Sequence, residues 1–308
     1  VLDMHHIISD GVSMRIIFNE IEKLYNGENL EDLKLQYRDF SEWQNKYLSS
    51  NNVKEQEEYW LNTFSGEIPT LSMLTDYPRP SIQSFEGDRV NFSLESNIVE
   101  KLMNIAKENN ATMYMVLLAA YNVLLSKYSN QEDIIVGTPI AGREKDEIQN
   151  TVGMFVNTLV HRNYPAVHKT VREFLNEVKE NVLNDFENKD YQFDDLIEKL
   201  NIKRDASRNP IFDVMFVLEN MDLESKDDSK VKRLNFEFNV AKFDLTLITK
   251  ESNKEIECTL EYCKKIFKKE TIESMSIHYL NILNNLLKNQ EAKLYEINML
   301  SKNEEELI

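Results

Sequence analysis

The side chains best suited to chemistry lie together near the start of the chain, in the run His5, His6, Ile7, Ile8, Ser9, Asp10, Gly11. Imidazole accepts a proton effectively near neutral pH, and it needs a hydrogen-bonding partner to fix its tautomer. Asp10 could order the imidazole directly or pin the turn, and Gly11 allows close backbone approach before a predicted helix. Amides at that helix N-terminus could face a developing oxyanion.

The same run has other interpretations, a packed histidine pair or a metal site. Adjacent histidines on a strand point to opposite faces, so only one of them would face a given cleft. His161, His168 and His278 lie in unrelated contexts, so the sequence predicts no metal site. Ser9 lies in no Gly-x-Ser-x-Gly turn, so a serine hydrolase is not indicated. The aspartate and glycine at this spacing favour a catalytic role.

The elements that must position this run are predicted from apolar spacing. A strand is expected over residues 1–6, a turn over Ile7–Gly11 and a helix over Val12–Tyr25. Two more helices are expected over Phe40–Leu48 and Val53–Phe64.

The rest of the chain mixes predicted helices with short apolar strands. Helices are expected at 96–108, 112–128, Thr170–Phe186 and Ile272–Leu287, the second unusually apolar and buried. Strands are expected at Asp88–Leu94, Ile134–Val136, Phe155–Val160, Phe212–Leu218, Leu234–Phe238, Phe243–Ile248 and Ile256–Tyr262. This pattern predicts the α/β class, as an α+β sandwich in which strands between residues 212 and 262 pair antiparallel.

Composition excludes several classes of function. The 36 basic and 53 acidic side chains give a formal net charge of −17, which disfavours nucleic acid and anionic membranes as partners. No apolar run approaches the roughly 18 residues of a membrane span. Cys258 and Cys263, five residues apart on a predicted strand, would point to opposite faces, so a local disulfide is not expected. Unpaired thiols fit a cytoplasmic location.

Five segments in order resemble the motifs of the condensation domains of non-ribosomal peptide synthetases. His5 to Gly11 resembles the His-His-x-x-x-Asp-Gly signature, and Val12 and Ser13 continue it in a common form. The other four segments are Tyr37, Arg38, Asp39 and Phe40 with Trp43; Val152 to Thr158; Asp190 to Phe193; and Arg204 to Pro210. One match alone would be weak, whereas five in order over residues 5 to 210 identify the family.

The resemblance implies a chloramphenicol-acetyltransferase-like fold, two lobes in a V with the motif at the centre of a tunnel. We expect residues 1–66 to be the remnant of an N-terminal lobe, 67–87 an inter-lobe linker, 88–292 the C-terminal lobe, and 293–308 the start of a linker towards an adenylation domain. The chain begins in mid-strand without a methionine, so the first lobe is expected to be incomplete.

The resemblance also implies a chemistry. Upstream and downstream carrier domains present thioesters on phosphopantetheine arms, and the acceptor amine attacks the donor carbonyl. His6 would be the general base or the group that positions the amine, Asp10 would hold the loop through an ion pair, and His5 and Gly11 would support it. No cofactor would bind directly. Because the family's arginine-containing motif is not in this sequence, Asp10 is expected to lack its counter-charge.

The remaining motif residues have structural as well as functional interpretations. Tyr37, Phe40 and Trp43 are expected to form one helix face. Asn157, beside Thr158, needs a polar partner and could line a substrate passage. We expect Arg208 to pair with Asp205, and Asp244, within an apolar strand, to connect the two lobes through an unidentified partner.

Two other functions found in the same superfamily remain as alternatives to condensation. An epimerization domain shares the histidine motif, but the segment Val152 to Thr158 fits condensation better. A condensation-like docking module that only recruits other domains often has a damaged motif, whereas His6 and Asp10 are intact here. A heterocyclization domain would carry aspartates in place of the histidines.

Overall fold

The computed structural model describes residues 2–219, 239–252 and 254–307, and a six-stranded sheet lies at its centre. The strands are β1 (Gly87–Leu94), β2 (Ile134–Ile140), β3 (Asn157–Asn163), β4 (Val214–Glu219), β5 (Leu245–Ser252) and β6 (Glu255–Cys263). Their order across the sheet is β1-β6-β5-β4-β2-β3. The mixed α/β class predicted from the sequence is confirmed.

The pairing of the later strands differs in part from the prediction. β5 and β6 are antiparallel, as are β1 and β6, and β2 and β3. β4 runs parallel to both β5 and β2, so the expectation of antiparallel pairing between residues 212 and 262 is wrong for β4 and β5. A parallel pair requires a long connection, and residues 220–244 provide one. The strand predicted at Leu234–Phe238 lies outside the described residues.

Helices cover the sheet and the segment before it. They are α1 (Gly11–Tyr25), α2 (Tyr37–Leu48), α3 (Asn51–Thr63), α4 (Ser96–Glu108), α5 (Met113–Ser129), α6 (Val171–Glu187), α7 (Phe193–Leu200), α8 (Lys269–Lys288) and α9 (Lys302–Glu305). Three short 3-10 turns span His6–Ile8, Asp146–Ile148 and Leu294–Glu296. α7 was not predicted, because eight residues contain too few turns to show a helical period.

The start of the chain also differs from the prediction. Residues 2–5 form no strand, and His6–Ile8 form a 3-10 turn, so the strand expected over residues 1–6 is wrong in the part that the structure describes. A strand needs a neighbour for its backbone amides, and every strand in the described ranges belongs to the central sheet. The run from His5 to Gly11 therefore lies on a turn that leads directly into α1.

Two large apolar clusters, with a small third one formed by Phe40, Ile148 and Phe155, hold the described residues together. The larger one surrounds α5, which is buried along most of its length as predicted and packs against α4, α6 and α8. The smaller one joins α3 to β2, β3 and α7 through Trp60, Phe64 and Tyr191. Through this second cluster, α3 is fixed to β3, the strand that begins at Asn157.

Two further expectations are resolved by the packing. Asp244 pairs with Arg79, which lies in the proline-containing segment predicted as the inter-lobe linker. Cys258 and Cys263 are both buried and free. Within the described ranges, no helix combines the length and apolar character needed to cross a membrane.

Candidate functional site

Asp10 fixes the start of α1 and the turn before it. Its Oδ1 accepts a hydrogen bond from the Ser13 backbone N–H at 2.7 Å, and its Oδ2 accepts one from the Phe155 backbone N–H at 3.1 Å. The residue is only 2% exposed. Asp10 makes no hydrogen bond or ion pair with either histidine, so it orders the motif by pinning the turn. Because the Ser13 amide already binds Asp10, it is not free to face an oxyanion.

His6 is held by Ser9 rather than by Asp10. Its Nδ1 lies 2.7 Å from the Ser9 backbone carbonyl oxygen. A carbonyl oxygen can only accept, so Nδ1 carries the proton and donates it. In the neutral ring, Nε2 is then unprotonated and keeps its lone pair. The exposed His6 therefore presents a basic nitrogen away from the turn.

His5 has the opposite arrangement. Its Nδ1 accepts a hydrogen bond from the Ile7 backbone N–H at 3.1 Å, which caps the 3-10 turn. In the neutral ring, the proton of His5 is therefore on Nε2. The two adjacent imidazoles differ in tautomer, and only His6 offers Nε2 as a base.

Arg143 provides the counter-charge of Asp10. Its Nη2 donates to Asp10 Oδ1 at 3.0 Å and Oδ2 at 3.2 Å, and the two side chains are 4% and 0% exposed. The expectation that Asp10 lacks a counter-charge is therefore wrong. Nη1 donates to the carbonyls of Ile148 and Thr151, and the guanidinium lies 4.0 Å from the Phe155 ring centroid. Sequence reasoning missed Arg143, which is separated from Asp10 by 133 residues.

Burial and hydrogen bonding act on the pKa of Asp10 in opposite directions. Burial alone would raise the pKa, but the hydrogen bonds from Ser13 and Phe155 and the charge of Arg143 together lower it. Burial lowers the pKa of Arg143, and the neighbouring carboxylate opposes that effect. Both groups remain charged near neutral pH, as a buried pair whose carboxylate is well supplied with donors.

Ser13 connects α1 to the loop before β3. Its hydroxyl lies 2.8 Å from both Asp10 Oδ1 and the Gly153 carbonyl oxygen. Ser13 Oγ also accepts hydrogen bonds from the Gly153 backbone N–H at 3.0 Å and from Arg143 Nη2 at 2.9 Å. A fully buried hydroxyl thus joins the motif to the Val152–Thr158 segment that the sequence placed in a separate motif.

Tyr37 holds the other side of that loop. Its hydroxyl donates to the Met154 carbonyl at 2.7 Å, and its ring lies edge-on to Phe155 with centroids 5.1 Å apart. Phe40 also packs on Phe155, and Trp43 stacks on Tyr47 one turn further along α2. The predicted helix face formed by Tyr37, Phe40 and Trp43 is confirmed.

Asn157 has the polar partners that its position required. Its Nδ2 donates to the carbonyls of Lys189 and Tyr191, both at 2.9 Å, and its Oδ1 accepts from the Thr158 backbone N–H. The amide thereby fixes the loop between α6 and α7. Thr158 follows it on β3 and is half-buried.

A cleft of about 310 Å³ lies beside this network. Asn157, Trp43 and Arg143 line it, together with Lys145, whose Nζ lies 3.8 Å from a ring centroid of Trp43. The Nε of Arg143 is buried and has no hydrogen-bond acceptor within the described part of the chain. The cleft combines an aromatic wall with cationic groups and borders the residue that holds Asp10.

Arg208 lies apart from these residues. It pairs with Asp213 and donates to the Leu71 carbonyl at 3.3 Å. Asp205 instead accepts hydrogen bonds from the backbone and hydroxyl of Ser207, so the expected Arg208–Asp205 pair is wrong. Because Ser207 donates two hydrogen bonds to the Asp205 carboxylate within the same turn, that carboxylate is not available to Arg208.

Of the residues predicted as a site, the structure brings most together. His5, His6, Ser9, Asp10, Gly11 and Ser13 share one turn, Tyr37 contacts it through Gly153, and Asn157 and Trp43 line the adjoining cleft. Among residues 2–219, 239–252 and 254–307, no group of three or more His, Cys, Asp or Glu side chains could hold a metal ion.

Comparison with known proteins gives a consistent result. A family model described as "Condensation domain" matches residues 1–308. The chain is 51% identical over 309 residues to bacitracin synthase 3 of Bacillus licheniformis, covering 99% of this chain and 5% of that protein. It is also 51% identical to gramicidin S synthase 2 of Aneurinibacillus migulanus, covering 100% of this chain and 7% of that protein. The chain therefore spans a small fraction of the length of these relatives.

Solved structures show the same fold. A four-domain nonribosomal peptide synthetase bound to AMP and glycine matches with a TM-score of 0.87 at 23% identity, covering 98% of this chain and 24% of that chain. The first condensation domain of the calcium-dependent antibiotic synthetase, in complex with a substrate analogue, matches at 0.75 and 16% identity, with 97% and 66% covered. The predicted chloramphenicol-acetyltransferase-like fold is confirmed.

Proposed function

The chain belongs to the condensation-domain family, and we propose that it forms an amide bond between two groups held on carrier domains. The donor is an acyl or peptidyl thioester, and the acceptor is an aminoacyl thioester. Upstream and downstream carrier domains would present them on phosphopantetheine, with an adenylation domain as a further partner in the cytoplasm. No cofactor bound by the chain itself is part of this proposal.

The observation that carries the proposal is the tautomer of His6. The Ser9 carbonyl holds the proton on Nδ1, which leaves Nε2 able to accept a proton or a hydrogen bond from an amine. The amine nitrogen attacks the donor carbonyl, the new C–N bond forms and the C–S bond breaks. The proton lost by the amine passes to His6 Nε2, and the departing thiolate takes up a proton. His6 acts as base, or it positions the amine.

Asp10, Arg143 and Ser13 are positioning residues in this scheme. None of the three touches His6, but together they fix the turn in which Ser9 holds the imidazole. His5 supports the turn through its bond to Ile7. Much of the rate acceleration would come from holding two tethered reactants together, which can contribute several kcal/mol.

The cleft lined by Trp43, Lys145 and Asn157 is proposed as part of the substrate passage. It adjoins the arginine that binds Asp10. Aromatic and cationic walls suit an amide-containing arm.

The intact geometry around His6 favours chemistry over a purely recruiting role. An epimerization domain would use the same histidine, so the two reactions must be separated by their products. Donor and acceptor, each loaded on its carrier domain, are incubated with the full-length polypeptide that contains this chain. Formation of a dipeptide supports condensation. Inversion of the stereocentre of one aminoacyl group, without formation of an amide bond, would show that the reaction is epimerization instead.

The variant that tests the role of His6 is His6→Asn. Its side-chain amide can still donate to Ser9, but it has no Nε2, so the expected loss of product formation is about 10²- to 10⁴-fold without a change in unfolding midpoint. The matched control is His168→Asn, since His168 is exposed on a distant loop. Full activity of His6→Asn would overturn the role of Nε2.

A further inference from the structure

A second concave space of about 590 Å³ lies at the carboxyl ends of the parallel strands β2, β4 and β5. Ile140 of β2 and Leu218 of β4 line it, and the start of α5 and one side of α6 complete the walls. Crevices outside the carboxyl ends of parallel strands are common places for ligands in open sheets. Its volume is within the usual range for ligand sites.

The walls of this cavity are apolar even where hydroxyl groups line it. Tyr114 shares a hydrogen bond with His161 Nε2 at 2.8 Å, and the Thr138 hydroxyl donates to the Phe216 carbonyl at 2.8 Å. Thr112 Oγ1 accepts from the Met115 backbone N–H at 3.3 Å. The Tyr114 and Thr138 hydroxyls are already engaged within the protein, so the walls that they form favour an apolar ligand over a polar one.

A buried chain of hydrogen bonds fixes the polar edge of the wall. His161 Nδ1 lies 2.5 Å from Asp185 Oδ2, and Asp185 Oδ1 accepts from the Tyr59 hydroxyl at 2.6 Å. The chain joins α5, β3, α6 and α3, and His161 and Asp185 are at most 1% exposed. Tyr114 is therefore held with its oxygen turned to His161 and away from a ligand.

Exposed apolar side chains border the opening. Leu183 and Phe186 of α6 are 48% and 38% exposed. Glu251 is the one charged residue among the described residues that line the cavity. Because no lysine or arginine among the described residues lines the cavity with it, this carboxylate disfavours an anionic ligand. The lining therefore favours apolar ligands and disfavours negatively charged ligands.

The cavity adjoins the cleft beside Arg143. Ile140, Ala141 and Phe186 line both this cavity and the cleft beside Arg143. Ala141 is two residues before Arg143, whose guanidinium binds Asp10. The cavity therefore borders the cleft whose Arg143 fixes the histidine turn through Asp10.

From these observations we infer that the cavity is a subsite for an apolar side chain of one of the two joined aminoacyl groups. The inference rests on the proposed function and adds its substrate class: aliphatic or aromatic side chains bind here, and acidic ones are rejected. Met113, Leu183 and Leu218 determine the size that is accepted. The donor or the acceptor group supplies the side chain.

The test narrows the cavity with Leu183→Trp in the full-length polypeptide. Leucine, alanine and aspartate are loaded as donor with a glycine acceptor, and then as acceptor with a glycine donor. We expect kcat/KM for leucine to fall at least about 10-fold in one of these arms, while alanine changes little. The arm that responds identifies the group whose side chain enters the cavity. Aspartate is expected to react poorly in that arm with the unaltered protein.

The matched control is Ile277→Trp, which places the same ring at an equally exposed position on α8, remote from the cavity. No product from any pair with the unaltered protein would reject the proposed function itself. Product formation with equal losses for leucine and alanine in Leu183→Trp, or unchanged rates for both, would overturn the subsite alone. A leucine-specific loss in Ile277→Trp would also overturn it.

Discussion

Gly153 lies directly beneath the ring of Tyr37: a Cβ at residue 153 would be 2.1 Å from the Tyr37 Cδ2 atom. The same glycine uses its N–H and its carbonyl to bind Ser13. The contact therefore brings α2, the loop before β3 and the start of α1 to one point. A side chain at residue 153 cannot be accommodated unless one of these elements moves.

Replacing Gly153 by alanine is expected to lower the free energy of unfolding by about 1–3 kcal/mol through overpacking. Urea denaturation of the variant gives this value, and product formation should fall as the Ser13 contacts shift. Gly11→Ala is the control for stability, because a Cβ at residue 11 meets nothing within 4 Å. Equal losses of stability in the two variants would show that the Tyr37 contact is unimportant.

Removing the charge of Asp10 is expected to be costly because Arg143 stays buried. Asp10→Ala should reduce the free energy of unfolding at pH 7 by about 3–5 kcal/mol. The folded-state pKa of Asp10 lies below its unfolded value, so its contribution is present above about pH 4 and is lost as pH falls through the lower folded pKa. The difference in the free energy of unfolding between Asp10→Ala and the unaltered protein, measured from pH 7 downwards, should therefore shrink only in strong acid. A difference that vanished near pH 6 would contradict this assignment.

His161 and Asp185 should behave as a coupled pair. His161→Leu leaves Asp185 buried with Tyr59 as its remaining side-chain donor, and we expect a loss of about 3 kcal/mol or more in chemical denaturation. Tyr59→Phe removes one hydrogen bond and should cost about 1 kcal/mol. The double variant His161→Leu with Asp185→Leu should be less destabilised than the sum of the single variants. Simple additivity would show that the two side chains do not interact.

Glu304 should make the attachment of the last helix sensitive to acid. Hydrogen bonds from the Ser301 hydroxyl and amide, with a further one from His278, lower the pKa of Glu304 to about 2. A lowered folded pKa means that this contribution is present above about pH 4.5 and is lost as pH falls towards 2. Amide hydrogen exchange in α9, corrected for its intrinsic pH dependence, should accelerate over that interval. In Glu304→Gln it should already be fast at pH 6, whereas the exposed control Glu306→Gln should resemble the unaltered protein.

Elements with strong local patterns were predictable from the sequence. The helices α1, α5, α6 and α8 begin and end within a few residues of the predicted bounds, because their apolar spacing reports the buried face directly. The run from His5 to Gly11 was recognisable for a similar reason, since its residues are adjacent in the chain.

Contacts between distant residues were not predictable in the same way. Arg143 meets Asp10 because β2 ends beside the start of α1, and no local pattern encodes that meeting. The parallel pairing of β4 with β5 depends equally on the path of the chain between them. Arg208 shows a different error: Asp205 and Asp213 are both near it in sequence, but Ser207 engages Asp205, and the carboxylate that binds Arg208 is Asp213.

The first strand of the sheet, β1, pairs with the last, β6, so that Gly87 lies opposite Cys263. During synthesis, the end of β1 leaves the ribosome about 160 residues before β6 begins, which at common rates of translation takes roughly ten to thirty seconds. Through that interval the inward side chains of β1, Val90 and Leu94, have no strand to join. The sheet is therefore completed late in synthesis, and β1 waits for its partner strand throughout that interval.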